Sequence, residues 1–188
     1  MLSDMPPNEP GAAAPADEDA GVVHDAGGLA VPGGYVRPGM LFRFSGALLG
    51  PADLDALAHH GVRLVVDLRG DGEERDPLAR WAATHSVGYH HEPIEVARPD
   101  LLAAWGSGLS PEEAEAWLRE IYRQLVDHHG PQFAAAISAL SGTLPAAFGC
   151  ATGKDRTGLL ATLIQTLLGA GLDPRSMGSL RGALVAST

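Results

Sequence analysis

The stretch from Ala146 to Leu168 leaves few ways for this chain to fold. A short apolar run, Ala146-Ala147-Phe148, meets the loop Gly149-Cys150-Ala151-Thr152-Gly153-Lys154-Asp155-Arg156-Thr157-Gly158. Beyond it, Leu159, Leu160, Leu163, Ile164, Leu167 and Leu168 recur at helical spacing. A buried strand, a tight loop and a helix in that order are the repeating unit of an α/β protein. The only cysteine and the only lysine both fall in the loop, four residues apart.

Such a loop builds an anion site. N–H groups at a helix start have no partners within the helix, and the aligned peptide dipoles add partial positive charge there. Gly153 permits the backbone conformations a cradle needs, and Gly158 lets the helix pack closely. Cys150 sits at the rim with Lys154 and Arg156, where thiolate is favoured over thiol. Arg156, six residues after the cysteine, can return its planar fork to the same centre and grip two phosphate oxygens. A nucleophile beneath a bound phosphate, with donors around the oxygens, makes a phosphoryl-transfer site.

The loop resembles the C-x5-R-[ST] signature of cysteine-based protein tyrosine phosphatases. Its fuller form, C-x-x-G-K-D-R-T-G, is similar to that of bacterial tyrosine and phosphoinositide phosphatases of the secreted mycobacterial type. The resemblance covers roughly residues 36–172. It implies that Cys150 attacks phosphorus. Arg156 and the backbone N–H groups of Ala151, Thr152, Gly153, Lys154, Asp155 and Arg156 would hold the equatorial oxygens. Thr157 would hydrogen-bond the sulfur. The general acid falls to Asp155 first and Asp67 second. No metal or other cofactor is implied, because the loop supplies the positive charge.

The expected substrate is a phosphotyrosine protein, with phosphoinositides admitted by the extra charge of Lys154. The alternative is a pseudophosphatase that binds a phosphorylated partner without turnover. Rhodanese-like sulfur transfer is disfavoured, because the Arg156-Thr157 exit suits a phosphate dianion. Family members carry histidine immediately before the cysteine, where this chain has Gly149. That histidine orders the loop and the thiolate, so Gly149→His is expected to raise turnover if the departure is a catalytic defect, and to leave it unchanged or lower if Gly149 is compensated elsewhere.

The rest of the chain reads around this centre. Residues 1–34 are expected to form a disordered acidic tail, with Pro6, Pro7, Pro10, Pro15 and Asp17-Glu18-Asp19. Residues 35–188 form the phosphatase-like domain. Short strands through Ser45 precede a helix from Pro51 to Gly61. Val62-Arg63-Leu64-Val65-Val66 reads as a buried parallel strand. It ends in Asp67-Leu68-Arg69, so Asp67 lies at the strand edge where α/β sheets bind ligands, either holding Arg69 or acting directly.

Gly70 to Pro77 reads as a charged, solvated turn, followed by a helix with Leu78 and Trp81, then a strand within 87–96. A loop over 99–110 with Leu101, Leu102 and Trp105 packs on the core or covers the site. Ser110-Pro111-Glu112-Glu113 is a capping box opening a helix to about His129, with Ala114, Trp117, Ile121 and Leu125 as its buried stripe. Gly130 is expected to stop it, and a second helix to start near Gln132. Met177, Leu180, Leu184 and Val185 mark a weak terminal helix, shorter than the family's C-terminal region. The fold expected is α/β, a parallel sheet flanked by helices on both faces.

A net charge of −10 argues against nucleic acid as a partner. One cysteine rules out an internal disulfide. No secretory signal opens the chain, and the longest apolar run is too short to span a bilayer. The cytoplasm is therefore the expected compartment, with signal-less secretion left open. His59-His60, His90-His91 and His128-His129 are adjacent pairs whose rings diverge on a helix or strand, so they are not expected to bind metal.

Overall fold

A computed structural model describes residues 22–95 and 110–170. The acidic run at 17–19, the loop residues Leu101, Leu102 and Trp105, and the terminal helix expected around Met177 to Val185 lie outside the described residues.

The described strands are β1 (Val23–Asp25), β2 (Ala30–Val31), β3 (Gly34–Tyr35), β4 (Leu41–Ser45), β5 (Leu64–Asp67), β6 (Gly88–His91) and β7 (Ala146–Cys150). The described helices are α1 (Pro51–His59), α2 (Asp76–Thr84), α3 (Pro111–Gly142) and α4 (Asp155–Leu167). One sheet runs in the order β1-β4-β7-β5-β6, while β2 and β3 form a separate hairpin. Pairings β4–β7, β7–β5 and β5–β6 are parallel; only β1 on β4 is antiparallel. The fold is thus α/β with a mostly parallel sheet between helices.

Strand β7 is central and buried along its whole length. Its side chains alternate between faces, as the two-residue period of a strand requires. Ala146, Phe148 and Cys150 join Leu125, Phe133, Ala136 and Leu140 of α3 and Leu160 and Ala161 of α4. On the other face, Ala147 joins Phe42 and Phe44 of β4, Leu57 of α1, and Leu78, Trp81 and Ala82 of α2. Continuous apolar strands are what a sheet covered on both faces selects. No helix among the described residues is long and apolar enough to cross a membrane.

Two boundaries differ from expectation. Disorder was expected through Gly34, but Val23–Asp25 forms an edge strand on β4, with Val23 opposite Phe44 and Asp25 opposite Phe42. Three residues suffice because Asp25 clamps the neighbouring turns: its oxygens accept from Gly27 N at 2.8 Å and Gly39 N at 2.7 Å. Helix α3 also continues through Gly130-Pro131, with only His129 leaving helical dihedrals (φ −118°, ψ 16°). The bend takes up the proline ring, and both halves stay pressed on the sheet. At its start the capping box is complete: Ser110 Oγ accepts from Glu113 N, and Glu113 Oε2 accepts from Ser110 N at 2.8 Å.

Candidate active site

Cys150 ends β7 at the carboxyl edge of the sheet, where open parallel sheets place ligands. The chain then turns through Ala151 to Lys154 into α4. Gly46 N donates to Cys150 O at 2.7 Å, and Ala47 N to Ala151 O at 2.8 Å. Ser45 Oγ also donates to Ala151 O, at 3.0 Å. Carbonyl and N–H of one planar trans peptide point oppositely. Fixing these two carbonyls against the end of β4 therefore turns the N–H groups of Ala151 and Thr152 to the other side. Gly153 has φ +67°, and a Cβ there would lie 3.0 Å from Phe44 O, so glycine is required twice over. The first-turn N–H groups of α4 complete a set of donors with no partners within the helix.

The Cys150 sulfur is buried, and Thr157 Oγ1 donates to it at 3.1 Å. Arg156 is buried beside it. Its guanidinium donates through Nη2 to Glu73 Oε1 at 2.8 Å and through Nη1 to Glu73 Oε2. Nη1 also reaches Ile94 O at 3.1 Å and Leu68 O at 3.3 Å. Burial alone would lower the Arg156 pKa; the Glu73 carboxylate and the Cys150 sulfur more than offset it and raise the value.

Glu73 belongs to the turn read from sequence as solvated. Instead it braces the arginine from 83 residues away, and its Oε2 also accepts from Gly70 N at 2.6 Å. The hydrogen bond from Arg156 lowers the Glu73 pKa, against the opposing effect of burial. A lowered carboxyl contributes stability that is complete above its unfolded value and is lost as pH falls through the folded one. Melting temperature should therefore drop more steeply between about pH 5 and about pH 3 in the parent than in Glu73→Gln. Parallel melting curves would remove the ion pair from any part in acid stability.

Asp67 is fully buried, and its carboxylate is engaged on several sides. Oδ2 accepts from Arg69 Nη2 at 2.6 Å and from Tyr89 OH at 2.8 Å; Oδ1 accepts from Arg69 Nε at 2.9 Å and Arg69 N at 3.0 Å. Arg69 Nη1 in turn donates to Glu74 O at 2.5 Å. This network fixes the 69–74 turn, and with it Glu73. Asp67 thus stands behind the arginine brace.

Asp155 opens α4, and its Oδ1 accepts from Tyr122 OH at 2.7 Å. Spacing along α3 did not single out Tyr122, which directly follows Ile121 of the apolar stripe. An aromatic with a polar tip at the edge of a buried stripe was the available signal. Lys154 is the residue before α4.

Gly149 leaves no room for the histidine that family members carry there. A Cβ built on it would lie 2.4 Å from both Phe44 Cδ2 and Phe44 O. The Phe44 ring fills the space on this face of the sheet. Beside the loop lies a cleft of about 370 Å³ lined by Gly46, Ala47, Leu49, Leu54, Pro77, Leu78 and Ala151, with Arg69, Glu73 and Glu74. Among the described residues no three His, Cys, Asp or Glu side chains converge as metal ligands do.

Residues 23–174 match the tyrosine phosphatase family. A Cupriavidus necator protein carrying a tyrosine-protein phosphatase name is 34% identical over 157 residues, which is 79% of this chain and 55% of that protein. A tyrosine-protein phosphatase of Nostoc commune is 34% identical over 121 residues, 63% of this chain and 39% of that one. The chain therefore spans about half the length, or less, of these curated relatives. Among solved structures, P. aeruginosa TpbA in complex with pTyr aligns at TM-score 0.45 and 16% identity, covering 80% of this chain and 73% of that one. The catalytic core of the PP-IP phosphatase SIW14 from S. cerevisiae aligns at TM-score 0.42 and 12% identity, covering 79% and 73%.

Proposed function

Because the chain belongs to the tyrosine phosphatase family, we propose that it hydrolyses phosphotyrosine through a cysteinyl-phosphate intermediate. One observation carries this reading: the Cys150 sulfur sits at the end of β7 with Thr157 Oγ1 at 3.1 Å and the braced Arg156 beside it. The Cys150 thiolate attacks phosphorus, forming an S–P bond while the P–O bond to the tyrosyl oxygen breaks. The departing oxygen keeps the electron pair and takes the proton of Asp155. Arg156 and the loop N–H groups hold the three equatorial oxygens, whose charge is the main thing to be stabilised. Water then attacks phosphorus, gives a proton to Asp155, and returns the S–P electron pair to sulfur. Thr157, donating to that sulfur, favours its departure as thiolate.

The family and the charges near the arginine support the substrate class. Glu73, paired with Arg156, and its neighbour Glu74 oppose further phosphates on a polyhydroxy ring. Lys154 keeps phosphoinositide as the second substrate. The glycine that motivated a binding-only reading has a packing reason in Phe44.

The test is hydrolysis of a phosphotyrosine peptide, a phosphoinositide and a series of aryl phosphates of graded leaving-group pKa, with and without chelator. Expected results are turnover unaffected by chelator and preference for the peptide. Asp155→Asn should lose about 10²-fold or more on poor leaving groups and little on good ones, the signature of a lost general acid. A steepening confined to Asp67→Asn would move the acid to Asp67. Tight binding of a phosphate analogue without turnover by the parent would favour the pseudophosphatase.

A further inference from the structure

We infer that Tyr122 is a positioning residue for phosphoryl transfer, orienting the Asp155 carboxyl and stabilising the charge that forms on it as it gives up its proton. The inference rests on the reading of Asp155 as general acid. It starts from a contact between two helices through residues 33 apart in sequence: the Tyr122 hydroxyl of α3 donates to Asp155 Oδ1 at 2.7 Å.

An aspartate in the first turn of a helix ordinarily turns back on its own free N–H groups or into solvent. Here a half-buried phenol reaches across from another helix and takes one oxygen. With Oδ1 taken by the phenol, Oδ2 is the oxygen left to carry the proton. The hydrogen bond is compatible with both states of the acid, since Oδ1 accepts whether Oδ2 bears a proton or not. It is stronger to the carboxylate than to the neutral acid. The bond therefore tightens during P–O cleavage, when the proton leaves Oδ2 for the tyrosyl oxygen and negative charge grows on Asp155. Interactions stronger in the transition state than in the ground state raise the rate.

The groups around Asp155 make such a fixed donor useful. Lys154 and Arg156 flank it in the chain, and either cation could draw a loose carboxylate out of line. Tyr122 counters them by geometry with a neutral donor. Burial first, then the Asp155 bond and charge and the Cys150 charge, push the Tyr122 hydroxyl pKa up. The phenol thus stays protonated and donating across the working pH range.

The experiment compares the parent with Tyr122→Phe, Asp155→Asn and the double variant on the graded aryl phosphates. Phenylalanine keeps the ring and removes only the hydroxyl; melting curves check the fold. Tyr122→Phe should lose about tenfold in kcat on the poorest leaving groups and no more than about twofold on the best, with KM little changed. In the Asp155→Asn background the same substitution should have no further effect on the slope. A uniform loss across leaving groups, or full additivity with Asp155→Asn, would assign Tyr122 to packing and overturn the inference. If Asp155→Asn alone leaves the slope unchanged, the acid assignment itself is wrong. The inference falls with it, visibly and for a different reason. Absence of turnover in the parent would overturn both.

Discussion

Cys150→Ser is expected to lower turnover of an aryl phosphate by at least about 10⁴-fold, a barrier increase of roughly 5.5 kcal/mol. Serine puts a hydroxyl that is not ionised near neutral pH where the reaction needs a thiolate. The cradle should survive, because its parts are held by groups the substitution leaves alone. Gly46, Ala47 and Ser45 still fix the carbonyls of residues 150 and 151, and Glu73 still braces Arg156. The new hydroxyl also keeps a partner in Thr157, whose Oγ1 stands 3.1 Å from the sulfur it replaces. Titration with tungstate should therefore show binding in the variant comparable to the parent. Comparable hydrolysis by the two proteins would end the cysteinyl-phosphate mechanism. Loss of both turnover and tungstate binding would show that the sulfur holds the loop together.

How far such a site can be read from sequence depends on how local its interactions are. Cys150, Gly153, Arg156 and Thr157 fall within eight residues, and one strand-loop-helix geometry brings them together. The flanking strands were legible for a related reason: burial on both faces writes itself as an unbroken apolar run, as at Leu64 to Val66. Edge strand β1 was not legible, because three residues beside glycines carry no usable period and its hydrogen bonds come from β4. Glu73 and Tyr122 were missed for a different reason. Glu73 is one acid in a charged turn until Arg69, held by Asp67, fixes that turn beneath Arg156. Tyr122 is one aromatic on a long helix until α4 brings Asp155 to its hydroxyl. Both meet partners set by the tertiary fold, and neither spacing nor composition encodes the meeting.

Gly149 also meets a partner set by the tertiary fold, and with a large consequence. Gly149→His, expected to raise turnover if the departure is a catalytic defect, should instead destabilise the protein and lower activity. Gly149 pairs with Phe44 across β7 and β4, and the two strands approach so closely that an added Cβ would meet the Phe44 carbonyl oxygen at 2.4 Å. Side chains can rotate away from such a contact, but a backbone oxygen within a ladder moves only if the strands separate. The Phe44 ring adds a second obstacle, with Cδ2 at 2.4 Å and Cε2 at 2.6 Å from the same position, and it is itself buried against Val65, Ala147 and Leu57. Overpacking a close-packed core costs about 1–3 kcal/mol and sometimes more. Two obstacles, one of them backbone, place this substitution at about 3 kcal/mol, or roughly 6–12 °C in melting temperature for a chain of this size. Gly149→Ala should already show most of the loss, since the carbonyl contact begins at Cβ. Phe44→Ala empties a core position and costs about 3–5 kcal/mol by itself, so the ring's share is read from that background: Gly149→His should cost less there than in the parent, by the part due to the ring. Thermal melts and aryl phosphate turnover of the four variants check this. A histidine variant that melts within about 2 °C of the parent and turns over faster would mean that the strand pair yields. In that case Gly149 is a catalytic defect after all, and Phe44 does not occupy the place of the missing histidine.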